Sequence, residues 1–293
     1  MTFLQDRDYI ARLLGPSLYS LSVLHLTRTV RFTIGPDNTR TLEGGRDPNG
    51  FAAIPSMRGL GRHYELQVTC AGVVDPATGY LIDIKTIDRA VRDHALPIIA
   101  RACSSDAGKA PTQVLADFVP DLANGLPGFF SAVRWKLDPY YSLEMNTKSP
   151  DRVLLRQKFD FAAAHRLHIA SLSDEENRTR FGKCNNASGH GHNYQFEPCV
   201  TLVLDASGNT PFSLQDLERL VQSAIIDRFD HKHLNTDTTE FSADGGVNPS
   251  VENISRVFYS LLADAINGEG KGASLSHITV WETDRTSCTY PAL

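Results

Sequence analysis

The side chains able to do chemistry crowd into one stretch, FGKCNNASGHGHNY, from Phe181 to Tyr194. His190 and His192 stand two residues apart in a run that continues as Tyr-Gln-Phe-Glu, and residues i and i+2 of a strand point from the same face. A pair so placed is able to hold one metal ion. Cys184, six residues earlier, sits between Lys183 and two asparagines in a Gly-rich loop. That setting suits a thiol near solvent and a cation better than a packed small hydrophobe. His165 ends an apolar strand face formed by Phe159, Phe161 and Ala163. Alone it reads as an ordinary hydrogen-bonded histidine. Beside His190 and His192 on an adjacent strand, it completes three neutral imidazoles with a fourth position open, the donor set of a catalytic zinc site.

Further candidates lie downstream. Asp230-His231 follows a helical stretch and reads either as a C-terminal cap favoured by the helix dipole or as a proton relay. Glu282, after Val280-Trp281, is a solvated edge charge unless it faces inward, where a ligand with a guanidine-like edge would satisfy it with two hydrogen bonds. Glu252 has a competing explanation as a dipole-favoured acid in a first helical turn.

The elements that must position these groups repeat. A short amphipathic helix is expected up to Gly15, with Ile10, Leu13 and Leu14 on one face. Strands follow at Leu21 to Ile34, closed by Gly-Pro-Asp-Asn, and at His63 to Val74. A helix from about Thr86 carries Ile87, Ala90, Val91, Ala95 and Ile98, with Pro97 expected to break or bend it. A second, Pro111 to Gly125, is interrupted by Pro120, and a strand runs from Phe129 to Leu137. Polar residues 142–152 read as a linker. The same order then recurs: Val153 to His165, Gly189 to Asp205, a helix capped by Ser213, a helix through Val251, Ile254, Val257, Phe258, Leu261 and Ala265, and the strand His277 to Thr283. The reading is a tandem duplication in the α+β class, each half an antiparallel sheet with helices on one face.

Composition narrows the function classes. The chain has 293 residues, 41% of them hydrophobic, and a formal net charge of −5 with no basic run, so no nucleic-acid footprint is visible. Five scattered cysteines without CxxC spacing argue for a reducing cytoplasm rather than a disulfide scaffold. No signal peptide and no membrane span are expected.

The strings FAAAHRLH, LSDEENRTRFGKCNNASGHGHNY, FDHKHLN, PSVEN and WET, in this order over residues 153 to 290, resemble the 6-pyruvoyl-tetrahydropterin synthases and the related 6-carboxytetrahydropterin synthases of queuosine biosynthesis. The resemblance implies a T-fold, a four-stranded antiparallel sheet with two helices, assembling with neighbours into a barrel. It implies zinc on His165, His190 and His192, Cys184 as the thiolate that moves protons, Asp230 and His231 as its acid/base partners, and Glu282 as the pterin anchor. Ser250 stands where the family usually has threonine in Pro-Thr-x-Glu-Asn, so Ser250 and Glu252 join the expected substrate-binding set. The implied substrate is 7,8-dihydroneopterin triphosphate.

The first half departs from this pattern. Gly59-Leu60-Gly61-Arg62 stands where Gly189-His190-Gly191-His192 stands, Lys136 replaces Glu282, and Val114-Leu115 replace Glu252-Asn253. The expected organisation is a degenerate T-fold domain without metal ligands over 1–141, a linker over 142–152, and a catalytic T-fold domain over 153–293. The expected protein is a cytoplasmic lyase releasing triphosphate, with the carboxy-forming reaction as the alternative and a non-catalytic pterin-binding module as a reading from another class. A homo-oligomer is expected, with three tandem chains forming one ring of active domains on one of inactive domains.

Overall fold

The computed structural model describes residues 22–35, 60–106, 108–243 and 245–292. The helix expected before Gly15, most of the Gly35 to Asn38 turn, and Arg58-Gly59 lie outside them. The chain divides into two compact units, the first running to Trp135 and taking in Met145–Ser149, the second comprising Lys136–Glu144 and the chain from Pro150 onward.

In the first unit β1 (Leu24–Ile34) and β2 (Arg62–Gly72) pair antiparallel from Leu24 opposite Gly72 to Ile34 opposite Arg62. Alternating Val30, Phe32, Leu66, Val68 and Cys70 are buried, the period-2 pattern of a half-buried sheet. β3 (Phe130–Lys136) joins beside β2. The first helical run does not stop at Pro97. α1 (Ile84–Ala90) passes through a π turn at Val91–Ala95, closed by Leu96 N–H donating to the Val91 carbonyl, into α2 (Leu96–Ser105), with Pro97 directly after the π turn. α3 (Pro111–Asn124) continues through Pro120.

The expected linker is a strand for half its length. β4 (Tyr141–Asn146) buries Ser142, Leu143 and Met145, and its Tyr141 to Glu144 pair with β5 (Arg152–Gln157). Hydrophobic alternation is present here in the sequence, masked by the polar residues interleaved with it.

The second unit is built on β7 (His190–Val203). On one side lie β5 and β6 (Phe159–His165), interrupted only at Lys158 and holding one register along β7, from Arg152 opposite Val203 to His165 opposite His190. On the other side lies β9 (Ala273–Thr283), followed by β10 (Thr286–Tyr290). α4 (Asp174–Phe181) separates β6 from β7. Between β7 and β9 come α5 (Leu214–Val221), a π turn at Gln222–Ile226, α6 (Asp227–Phe229), β8 (Lys232–His233), α7 (Leu234–Asp237) and α8 (Val251–Gly268). α8 packs on β9 and β10. Its buried face is Val251, Ile254, Ser255, Phe258, Leu262 and Ile266. The steps of four select Leu262 and Ile266 over the expected Leu261 and Ala265. No helix among the described residues is long and apolar enough to cross a membrane.

Candidate metal centre

The register explains how three imidazoles meet. His165 lies opposite His190 across the β6–β7 ladder, and His192 lies opposite Ala163, two residues along on the same face. That face is the core face: Phe161 stacks on Tyr194 with ring centroids 4.7 Å apart, and both Phe161 and Phe196 pack against Phe258 of α8. The histidines continue the aromatic row to the sheet end, with His192 and Tyr194 ring centroids 5.4 Å apart. Their ligand atoms all lie within 4.8 Å of one another.

The protonation pattern suits a cation. His165 is fully buried, and its Nδ1–H donates to the Pro249 carbonyl at 2.6 Å, which leaves the Nε2 lone pair facing the His190 Nε2 at 3.1 Å. Burial pushes the His165 pKa down to about 4, the Pro249 carbonyl opposing, and burial also lowers that of His190, so these rings stay neutral. His190 Nδ1 and His192 Nε2 are buried without a hydrogen-bond partner among the described residues. Imidazole nitrogens that converge without protein donors between them fit a divalent transition metal such as zinc, and the carbonyl behind His165 is the outer partner that such ligands use.

Gly189 lets β7 begin there. Its φ is +70°, and a Cβ would stand 2.7 Å from His233 Nε2 and 2.9 Å from the His165 carbonyl oxygen, so only glycine fits.

Two cavities flank the cluster. The first, about 840 Å³, is lined by Cys184 and His190 together with Arg166, Arg178 and Lys183. The second, about 490 Å³, is lined by His192, His231, Lys232 and His233 with Ala162 to Ala164. Cys184 and His231 are therefore each beside the cluster but in separate cavities.

Cys184 is half-buried in the turn Gly182–Asn185 that follows α4. Its carbonyl accepts from Leu167 N–H at 2.8 Å, and the buried Asn185 amide donates to the Leu167 carbonyl at 2.8 Å. Asn177, also buried, donates to the carbonyls of Ile169, Leu172 and Ser173 and accepts from Ile169 N–H at 2.8 Å. The loop between β6 and α4 is thus laced to the turn that carries the thiol.

The Asp230–His231 pair docks on β6. Asp230 Oδ1 accepts from Ala162 N–H at 2.8 Å, His231 N–H donates to the Ala162 carbonyl at 2.6 Å, and His231 Nδ1 stands 2.8 Å from Asp230 Oδ2. The Ala162 amide, helped by His231, holds the Asp230 carboxyl below its usual range. His231 is the one non-glycine with positive φ among the described residues, at 55°, and its ring is 82% exposed. Left-handed backbone at such a residue costs about 1 kcal/mol or more and is retained where a side chain must be presented in one direction.

A match to the family model for 6-pyruvoyl tetrahydropterin synthase covers residues 154–292. The guppy (Poecilia reticulata) 6-pyruvoyl tetrahydrobiopterin synthase is 37% identical over 131 residues, 44% of this chain and 84% of that protein. The human protein of the same name is 34% identical over 134 residues, 46% of this chain and 88% of that protein. The chain belongs to the 6-pyruvoyl tetrahydropterin synthase family. The solved structure of the Caenorhabditis elegans 6-pyruvoyl tetrahydropterin synthase is 30% identical, covers 48% of this chain and 96% of its own, and has a TM-score of 0.43.

Glu282 on β9 faces inward. Its Oε1 lies 3.5 Å from His165 Nε2 and 3.7 Å from His192 Nε2, so the carboxylate borders the three imidazoles. Ser250 and Glu252 have structural positions: Ser250 caps α8, its hydroxyl accepting from Asn253 N–H at 3.5 Å, and Glu252 is exposed in the first turn. Neither lines the cavities of Cys184 or His231. Sequence reasoning missed Tyr194, whose hydroxyl lies 3.3 Å from His165 Nδ1, and His233, packed against Gly189. Tyr194 was legible as the next core-face residue of β7. The Pro249 carbonyl left no side-chain signal at all.

Proposed function

We propose that this chain is a zinc-dependent pterin synthase acting on 7,8-dihydroneopterin triphosphate with expulsion of triphosphate, and that its second unit carries the chemistry. The observation that carries this reading is the convergence of three imidazoles, His165, His190 and His192, beside a cavity that also holds a thiol. His165, His190 and His192 would hold zinc, which, when bound, supplies a Lewis acid that acidifies the side-chain hydroxyls and the adjacent C–H. Cys184 takes and returns the proton at that carbon as a thiolate. His231, oriented by Asp230, exchanges protons with the substrate oxygen. Glu282 fixes the 2-amino and N3 edge of the pterin through two hydrogen bonds.

The first unit is proposed as a second T-fold copy without metal ligands. A helical run with a π turn occurs in both units, at Val91–Ala95 between α1 and α2 and at Gln222–Ile226 between α5 and α6, which supports the reading as a repeat; the second unit adds α4, β8 and α7. The separation of Cys184 from His231 into two cavities supports assembly of three tandem chains in which the thiol of one chain meets the Asp230–His231 pair of the next.

The test is metal analysis and product analysis with dihydroneopterin triphosphate. The wild-type chain releases triphosphate and retains zinc, and His190→Ala loses both; unchanged zinc and unchanged release would overturn the reading. Loss of acetaldehyde would instead assign the carboxy-forming reaction.

A further inference from the structure

The cavity beside Cys184 is positive although the chain as a whole carries −5. Arg166, Arg178 and Lys183 face it, and Asp174 is the one carboxylate among the described residues that line it. Arg166 is oriented by neutral groups, Nε donating to the Asn185 carbonyl at 3.1 Å and Nη2 to its Oδ1 at 3.3 Å, so its charge is held in place without being neutralised. Arg178 and Lys183 are exposed and form no ion pair with any described residue. Elsewhere in the same unit Arg156, Arg219 and Lys271 each have a carboxylate partner within 3 Å. Three cations left uncompensated around one concave wall raise the local potential and favour a multiply charged anion.

We propose that Arg166, Arg178 and Lys183 form the seat of the substrate's polyphosphate tail, an assignment that rests on the pterin triphosphate reading above. Cys184 and His190 fix where the reacting carbon chain lies, and Lys183, the sequence neighbour of the thiol, lines the same cavity. Arg178, earlier in the chain on α4, lines it as well. When the carbon–oxygen bond to the tail breaks, the departing oxygen keeps the electron pair. The Lys183 ammonium then meets a charge that is larger in the transition state than in the bound substrate. Lys183 thus serves leaving-group departure as well as binding, whereas Arg178 serves binding alone.

The test uses the zinc-loaded full chain and inorganic triphosphate as probe, by titration calorimetry on wild type, Arg178→Gln, Lys183→Gln and Arg180→Gln. Arg180 is exposed on the same helix but does not line the cavity. The expected result is an increase in Kd of about tenfold for Arg178→Gln and Lys183→Gln, and none for Arg180→Gln. Arg178→Lys recovers most of the affinity. In turnover, Arg178→Gln raises KM with little change in kcat, and Lys183→Gln lowers kcat as well. Equal Kd in all variants, an equal loss in Arg180→Gln, or no binding to the wild type at millimolar triphosphate would overturn the seat. Failure of the pterin reading is distinguishable: the wild type would then bind inorganic triphosphate in the cavity yet release none from dihydroneopterin triphosphate. Because the three substituted side chains are exposed, zinc content and circular dichroism should match the wild type.

Discussion

His165 pairs a fully buried ring with a fixed tautomer, and this sets how the metal-free protein responds to acid. Its folded pKa of about 4 lies below the ordinary 6.5, so as pH falls the unfolded chain takes up the proton first. The stability linked to this group is therefore full above about pH 6.5, declines through the window down to about 4, and is flat below it; the loss is at most about 3 kcal/mol. Denaturant titration of metal-stripped protein at pH 7, 5.5 and 4 should follow that slope, and His165→Asn should lose it. A slope identical in both would contradict the assignment. Cys184→Ala separates chemistry from metal binding. The side chain is half-buried and supplies none of the clustered nitrogens, so zinc content should stay at the wild-type level while turnover falls about a thousandfold. Loss of zinc in that variant would make the thiol a ligand rather than a proton-transfer group.

At the scale of elements, the thiol is positioned by a loop and a short helix, and Asn177 is their common tie. Asn177→Ala removes the acceptor for Ile169 N–H and the donor for three carbonyls from a fully buried site, which should cost about 2–4 kcal/mol. Thermal unfolding would measure the cost, and turnover should fall more than zinc content because the turn carrying Cys184 loosens while β6 and β7 remain paired. The string LSDEEN thus has a structural explanation: Ser173 and Glu176 cap α4 reciprocally and Asn177 ties the loop. The sequence made the strands of the second unit legible, because period-2 burial along β6 and β7 placed Phe161, Ala163 and His165 beside Tyr194, His192 and His190. Two things were hidden. A π turn just before Pro97 keeps that helical run continuous, and backbone insertion has no residue signature of its own. β4 was read as a linker because Ser142, Glu144 and Asn146 dilute its alternation.

At the scale of the molecule, only one of the two units carries the three imidazoles: His165, His190 and His192 are the one such cluster among the described residues. Zinc should therefore bind at about one ion per chain, and two per chain would contradict a metal-free first unit. The division of Cys184 and His231 between cavities has a sharper consequence. If the working site draws the thiol from one chain and the Asp230–His231 pair from another, a chain carrying Cys184→Ala and a chain carrying His231→Ala are each inactive alone but complementary together. Random mixing leaves both partners intact in about a quarter of the sites, so co-expressed variants should recover about a quarter of wild-type turnover. Separately purified variants should recover it only if the oligomer exchanges chains. Differently tagged chains, isolated through both tags, remove the unmixed trimers, and every mixed ring of three then has one intact junction, so recovery should rise to about a third. Absence of recovery in such oligomers would mean that Cys184 and His231 serve the same substrate from within one chain, one on each side of the His165–His190–His192 cluster.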